Sequence, residues 1–149
     1  MTTILILLVE DEPNSVFFFE HAATKVGITN PLRVAKDGRE ALDYLEGVGE
    51  FADRRKHPLP GLVILDLKLP RVAGFEVLKQ LRQQPETRAL PVLMLTSSAS
   101  DEDVARAYAL GANGYLVKPS QLEELVKVVQ GIKDFWLTLN RPPPPGGAS

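Results

Sequence analysis

The chain has 149 residues, 44% hydrophobic and 24% charged, a balance that permits one domain with a full core. Its formal net charge of -2 gives no general reason to expect binding to nucleic acid or to a membrane surface. Cysteine is absent, which excludes disulfides, thiolate metal sites and a cysteine nucleophile and fits a reducing compartment.

Ile4 to Val9 is wholly apolar and short, the pattern of a strand buried on both faces. No basic segment precedes it and acids follow at once, so it is neither a signal peptide nor a membrane span. The expected location is the cytoplasm. The run stops at Glu10-Asp11-Glu12, where three carboxylates repel one another and a cation would relieve them. A helix is expected from Ser15 to Val26, with Gly27 as its stop and Phe18, Ala22 and Val26 along one face. Pro31 to Ala35 reads as a strand, Lys36-Asp37-Gly38 as a turn and Arg39 to Leu45 as a helix. Glu46 to Pro60 is rich in Gly, Pro and charge. A loop of that length in a compact domain is expected to be mobile or to serve contacts.

A second apolar run, Leu62 to Leu65, ends in Asp66. That places Asp66 at the carboxyl end of a central strand, where open α/β sheets hold their ligands. Gly74 then precedes a helix over Phe75 to Gln84, and Pro85 to Pro91 is a connector. Val92 to Leu95 is a further buried strand that ends in Thr96. Ser100 with Asp103 three residues on resembles a capping box for a helix through Leu110. Tyr115 to Val117 is a fifth strand and ends in Lys118-Pro119. The last helix is expected from Gln121 to Leu139, which puts the domain at residues 1–140 and a disordered Pro/Gly tail at 141–149. Strand and helix alternate throughout, so the expected fold is α/β, a doubly wound parallel (βα)5 sheet with right-handed crossovers.

Four strand ends carry polar residues that can converge: Glu10 with Asp11, then Asp66, Thr96 and Lys118. Carboxylates from two neighbouring strands make a hard-oxygen site suited to Mg²⁺. A carboxylate that attacks phosphorus needs both its own charge and the incoming phosphoryl charge neutralised, which a metal ion and a lysine can do. The Thr96 hydroxyl can donate to a phosphoryl oxygen.

On these residues the chain resembles the response-regulator receiver domains of two-component signalling, over about Ile4 to Leu139. The carriers are Glu10-Asp11, Asp66, Thr96 and the stretch from Gly111 through Tyr115 to Lys118-Pro119. The resemblance implies the flavodoxin-like strand order 2-1-3-4-5. It implies that Asp66 accepts a phosphoryl group from a histidine of a sensor kinase. Asp11, Asp66 and the backbone carbonyl of Lys68 would hold Mg²⁺, with Glu10 reaching it directly or through water. Lys118 would pair with Asp66 and then with the phosphate, across a bond to Pro119 expected to be cis. Thr96 and Tyr115 would form the switch, Thr96 moving toward the phosphoryl group and Tyr115 turning inward behind it. Such a domain is a phosphoacceptor that promotes its own phosphorylation and dephosphorylation, and not an enzyme acting on other substrates. Ala73 stands where the family commonly has an acid or amide, so a changed loop cap is expected there.

The last helix carries two apolar stripes. Leu122, Val126, Val129 and Trp136 are expected to pack on the sheet. Leu125, Val128, Ile132, Phe135 and Leu139, spaced three and four apart, form a coiled-coil-type seam. A homodimer through this helix is therefore expected, with Val104 and Tyr108 contributing; the competing arrangement folds the extension back onto its own domain. The long loop and aromatic extension also resemble the stand-alone regulators that accompany bacterial phytochrome kinases. Two alternatives come from other classes. A haloacid-dehalogenase-like phosphatase would want a second Asp where Lys68 stands, and a phosphate-independent interaction module would have no use for the full set of strand-end residues. A nucleotide-binding α/β protein is disfavoured, because no Gly-rich loop follows the first strand.

Overall fold

A computed structural model describes residues 3–144. Five strands form one parallel sheet: β1 (Ile6–Val9), β2 (Leu32–Ala35), β3 (Leu62–Leu65), β4 (Val92–Thr96) and β5 (Gly114–Val117). Their spatial order is β2-β1-β3-β4-β5, the doubly wound order expected from the resemblance. β1 runs in register between its two neighbours, with Val9 opposite Ala35 on one side and Leu65 on the other. The acidic turn after β1 and Asp66 after β3 therefore emerge side by side at the carboxyl end of the sheet.

The continuous apolar runs are explained by helices on both faces. Leu7, Val9, Val63, Leu65, Val92 and Met94 point to one side. There they meet α2 (Gly38–Glu46), α3 (Gly74–Gln83) and Ala107 of α4 (Asp101–Ala109). The alternate residues Ile6, Leu8, Leu62, Ile64, Leu93 and Leu95 meet α1 (Pro13–Lys25) and α5 (Leu122–Ile132) on the other. No helix among the described residues is long and apolar enough to cross a membrane.

Local chemistry fixes the helix ends. α1 begins at Pro13, two residues earlier than expected, since proline suits the first helical turn. Phe18 is exposed and Phe19 takes the core position. Asp37 caps α2 by accepting from the Glu40 amide at 2.8 Å, and Ser100 caps α4 by accepting from Asp103 at 3.2 Å. α3 begins after Ala73 with no side-chain cap, the change expected at that position.

The segment after α2, expected to be mobile or to serve contacts, is bonded to the domain by its own side chains and by Tyr44. Phe51 is buried against Tyr44 with ring centroids 5.2 Å apart, and the Tyr44 hydroxyl donates to the Pro58 carbonyl at 2.7 Å. The Arg54 guanidinium donates to the carbonyls of Tyr44 and Leu45, both at 2.8 Å, satisfying groups that the end of α2 leaves open. Arg82 is a second such clamp. It donates to the carbonyls of Gly111, Arg88 and Leu90 and to the Asn113 side chain, at 2.7 to 3.0 Å, joining α3 to the connectors that lead into β4 and β5. Arg82→Met leaves those carbonyls unpaired and is expected to lower unfolding free energy in urea by about 2–4 kcal/mol.

The last helix divides its faces differently from the two stripes read in the sequence. Leu125, Val129 and Ile132 are the buried residues, so Leu125 and Ile132 leave the expected dimer seam and join the core. The two stripes lie one residue apart, about 100° on a helix, and spacing alone does not choose between such neighbours. Beyond Ile132 the chain continues as a π-helix, Lys133–Leu139, in which the Asn140 amide donates back to the Phe135 carbonyl five residues earlier. The wider turns shift the phase. Trp136 and Leu137 pack against the core on the α1 side, whereas Phe135 and Leu139 face outward. Lys133 donates to the Val26 carbonyl at 2.8 Å, capping α1 and tying the extension to it. Residues 141–144 are in neither helix nor strand, and the rest of the expected tail lies outside the described residues.

Candidate functional site

The ends of β1, β3, β4 and β5 bring the strand-end residues of the sequence together. Glu10 and Asp66 are buried and Asp11 is exposed. Glu10, Asp11 and Asp66 each offer a carboxylate oxygen within 4.8 Å of the others, a set able to hold a metal ion. Lys118 reaches in from beyond β5. Its ammonium donates to Asp66 Oδ2 at 2.9 Å and also to Glu10 Oε1. Asp66 Oδ1 accepts from the Leu67 amide at 2.7 Å, and Glu10 Oε2 accepts from the Glu12 amide at 3.1 Å. The second link, between Lys118 and Glu10, was not apparent in the sequence.

Burial raises the Glu10 carboxyl above the ordinary value, against the opposing pull of Lys118. Burial also draws Lys118 down, but the hydrogen bonds and charges of Glu10 and Asp66 outweigh it and the net direction is up. Lys118 is thus a firmly held cation between two carboxylates, with its side chain 20% exposed.

Thr96 is fully buried, and its hydroxyl has no hydrogen-bond partner among the described residues. Its backbone carbonyl accepts from the Lys118 amide at 2.7 Å, which fixes the two side chains on adjacent strand ends. Tyr115 is half-buried, and its hydroxyl donates to the Ser98 carbonyl at 2.9 Å, tying β5 to the loop that follows Thr96. The Lys118–Pro119 bond is trans, since no peptide bond among the described residues is cis. This corrects the expected cis bond; the trans form is favoured before proline by about 0.5–1 kcal/mol, and the lysine reaches both carboxylates in that form.

A loop from Leu67 to Ala73 carries Lys68, exposed and two residues past Asp66. Its two ends are closed by the Gly74 amide donating to the Leu67 carbonyl at 2.9 Å. A Cβ at Gly74 would stand 2.1 Å from the Asp66 carbonyl oxygen, so the close return of the chain requires glycine. The dimer candidates separate by exposure: Tyr108, Phe135 and Leu139 are exposed, Val104 and Val128 half-buried, Leu125 and Ile132 buried.

The donor set suits a divalent cation: three carboxylates of hard oxygen, with an unpartnered buried hydroxyl at the neighbouring strand end. It has no counterpart to the second acid of a haloacid-dehalogenase-like phosphatase, because Lys68 occupies that place.

Comparison with known proteins agrees with this geometry. Residues 6–130 match the response regulator receiver domain. The probable methanogenesis regulatory protein FilR2 of Methanothrix harundinacea is 43% identical over 144 residues, covering 95% of this chain and 88% of that protein. Response regulator Rcp1 of Synechocystis is 38% identical over 133 residues, covering 89% and 88%. The crystal structure of its Mn²⁺-bound form matches with a TM-score of 0.86 at 37% identity, over 95% of this chain and 99% of that one. The phosphorylated cyanobacterial phytochrome response regulator RcpA matches with a TM-score of 0.89 at 32% identity, over 96% and 100%. A family match along residues 6–130 and relatives aligned over nearly the whole chain show that this protein belongs to the response regulator receiver domain family and resembles its phytochrome-associated regulators.

Proposed function

We propose that Asp66 is the phosphoacceptor of this receiver and takes its phosphoryl group from a phosphohistidine of a sensor kinase. The observation that carries the reading is Lys118 bound to Asp66 at 2.9 Å, beside the acidic cluster and the fully buried Thr96 hydroxyl. A carboxylate oxygen of Asp66 attacks phosphorus, the P–N bond to the donor histidine breaks, and its electron pair returns to the imidazole. The product is an acyl phosphate on Asp66. Lys118 is bonded to Asp66 before transfer and pairs with the phosphoryl oxygens after it. Thr96 then has a partner for its hydroxyl, and Tyr115 follows the loop it is bonded to.

Receiver domains bind a divalent metal. Here Asp11, Asp66 and the Lys68 carbonyl, with Glu10 directly or through water, are the residues that would hold it, and we take the ion to be Mg²⁺. When bound it supplies charge neutralisation for the incoming phosphoryl group. The domain promotes its own phosphorylation and dephosphorylation. Residues 1–140 form the receiver and 141–149 its tail, and the protein works in the cytoplasm.

Receiver domains partner with sensor histidine kinases. The likeness to RcpA, a phytochrome response regulator, supports a phytochrome kinase as the donor. Exposed Phe135 and Leu139 support a homodimer through the end of the last helix, with exposed Tyr108 and half-buried Val104 and Val128 as the further candidates. A monomeric mass in light scattering at tens of micromolar would contradict it.

Incubation with a small acyl phosphate, followed by intact mass, tests the central assignment. Addition of one phosphoryl group in the presence of Mg²⁺, and little with a chelator, is expected. Turnover of the acyl phosphate without labelling would favour the phosphatase, and neither would favour a phosphate-independent interaction module.

A further inference from the structure

The loop from Asp66 to α3 contains one backbone outlier. Arg71 has φ of 70°, and among the described residues it is the one non-glycine residue with positive φ. The Val72 amide donates to the Pro70 carbonyl at 2.8 Å across it, which makes Pro70-Arg71-Val72 a γ-turn of the rare, strained kind. Arginine gains nothing from that backbone shape. Strain of this sort, roughly 1–3 kcal/mol per residue, persists where surrounding structure imposes it, and it gathers at functional sites.

The imposing structure is the turn between β2 and α2. The Gly38 amide donates to the Pro70 carbonyl at 3.3 Å, so that carbonyl takes two donors. A Cβ at Gly38 would stand 1.9 Å from the Val72 carbonyl oxygen and 2.7 Å from the Val72 Cβ. Asp37 Oδ2 lies 3.6 Å from the Arg71 guanidinium, while its other oxygen caps α2. Arg71 is exposed in that ion pair, and at 3.6 Å the contact contributes little by itself. The hydrogen bond and the glycine's close seating do the holding. Pro70 is two residues from Lys68 and four from Asp66, so a shift in the turn is passed directly to the acceptor segment.

We infer that Gly38 is a positioning residue for the acceptor site: it clamps the strained Pro70-Arg71-Val72 turn and thereby sets the place of the Asp66–Lys68 segment. The inference rests on the receiver reading of Asp66. It differs from a packing role because it ties a glycine on the sheet's edge connection to metal affinity and not only to stability.

The test is Mn²⁺ binding by titration calorimetry, together with thermal unfolding of the metal-free protein and phosphoryl uptake from an acyl phosphate. Gly38→Ala is expected to weaken Mn²⁺ binding at least fivefold and to slow uptake at limiting metal. Arg71→Gly accepts the positive φ without strain. It is expected to keep Mn²⁺ affinity within twofold and to raise the melting temperature. A folded Gly38→Ala protein with unchanged Mn²⁺ affinity would overturn the positioning role while leaving Asp66 as the acceptor. If Gly38→Ala does not fold, Arg71→Gly decides, and a lowered melting temperature would overturn the imposed-strain argument. Wild-type protein that neither binds Mn²⁺ nor takes up phosphate would instead contradict the receiver reading itself.

Discussion

Asp66→Asn is expected to take up no phosphoryl group, from an acyl phosphate or from a kinase, while remaining folded. The amide is isosteric but carries no anionic oxygen to attack phosphorus, so labelling falls to background and not to a fraction. The fold should tolerate it. The substituted side chain can still accept from the Leu67 amide through its carbonyl oxygen, as Asp66 does at 2.7 Å. Its NH₂ would face the Lys118 ammonium where an acceptor now stands at 2.9 Å, but Lys118 keeps Glu10. Removing one of three crowded carboxylates also relieves repulsion. A stability loss of no more than about 2 kcal/mol in urea is expected, the size of one charged hydrogen bond. Intact mass and an unfolding curve on one preparation separate lost chemistry from lost structure.

Lys118→Met is expected to have the second largest effect, with a different signature. It strips the only cation bonded to Glu10 and Asp66 among the described residues and leaves two buried carboxylates facing each other. Breaking a fully buried pair costs about 3–5 kcal/mol. Lys118 is partly exposed, so a loss of about 2–3 kcal/mol is the reasonable figure. Phosphoryl uptake should fall by about 10²–10³, the usual result of deleting one fixed donor to developing charge. Added divalent cation should recover part of the stability, by neutralising the carboxylates, without recovering the rate.

The variant's pH dependence has a definite sign. Burial already raises Glu10, and Lys118 is the first influence opposing that rise. Without Lys118 the folded Glu10 carboxyl moves further above its unfolded value. A group raised on folding contributes stability that is fully present below the unfolded pKa and is lost as pH rises through the folded one. The variant's deficit against wild type should therefore shrink toward pH 4 and grow toward neutrality. A deficit that is flat with pH would mean that Lys118 does not act through Glu10.

Much of this was readable in the chain because each strand is a wholly apolar run that ends in a chemically distinctive residue. Val9, Leu65, Thr96 and Val117 are the last positions of their strands; acids follow the first two at once, and Lys118 follows Val117. The contacts across strand ends were less legible. Lys118 choosing both Glu10 and Asp66 depends on side-chain reach, which spacing does not encode. The expected cis bond before Pro119 came from likeness, and this chain achieves the same reach in trans. Leu125 and Ile132 were placed on the outer seam because periodicity fixes a helix face only to about one residue. The π-helix after Ile132 then changes the phase altogether, and nothing in the residue types announces it. The segment Glu46 to Pro60 looked loose because its composition is polar, yet Arg54 and Tyr44 tie it down through bonds to backbone carbonyls. Gly38 read only as a turn residue; its seating against Val72 is visible only once the two connections meet in space.

The claim on which the rest depends is that the phosphoryl group resides on Asp66. Borohydride reduction of the labelled protein converts an aspartyl phosphate to homoserine with loss of phosphate, and peptide mass mapping then locates the altered residue. Homoserine in place of Asp66, dependent on prior exposure to the phosphodonor and absent elsewhere, is the expected result. Homoserine in place of Asp11 or another carboxylate, or stable label that borohydride leaves unchanged, would contradict the account.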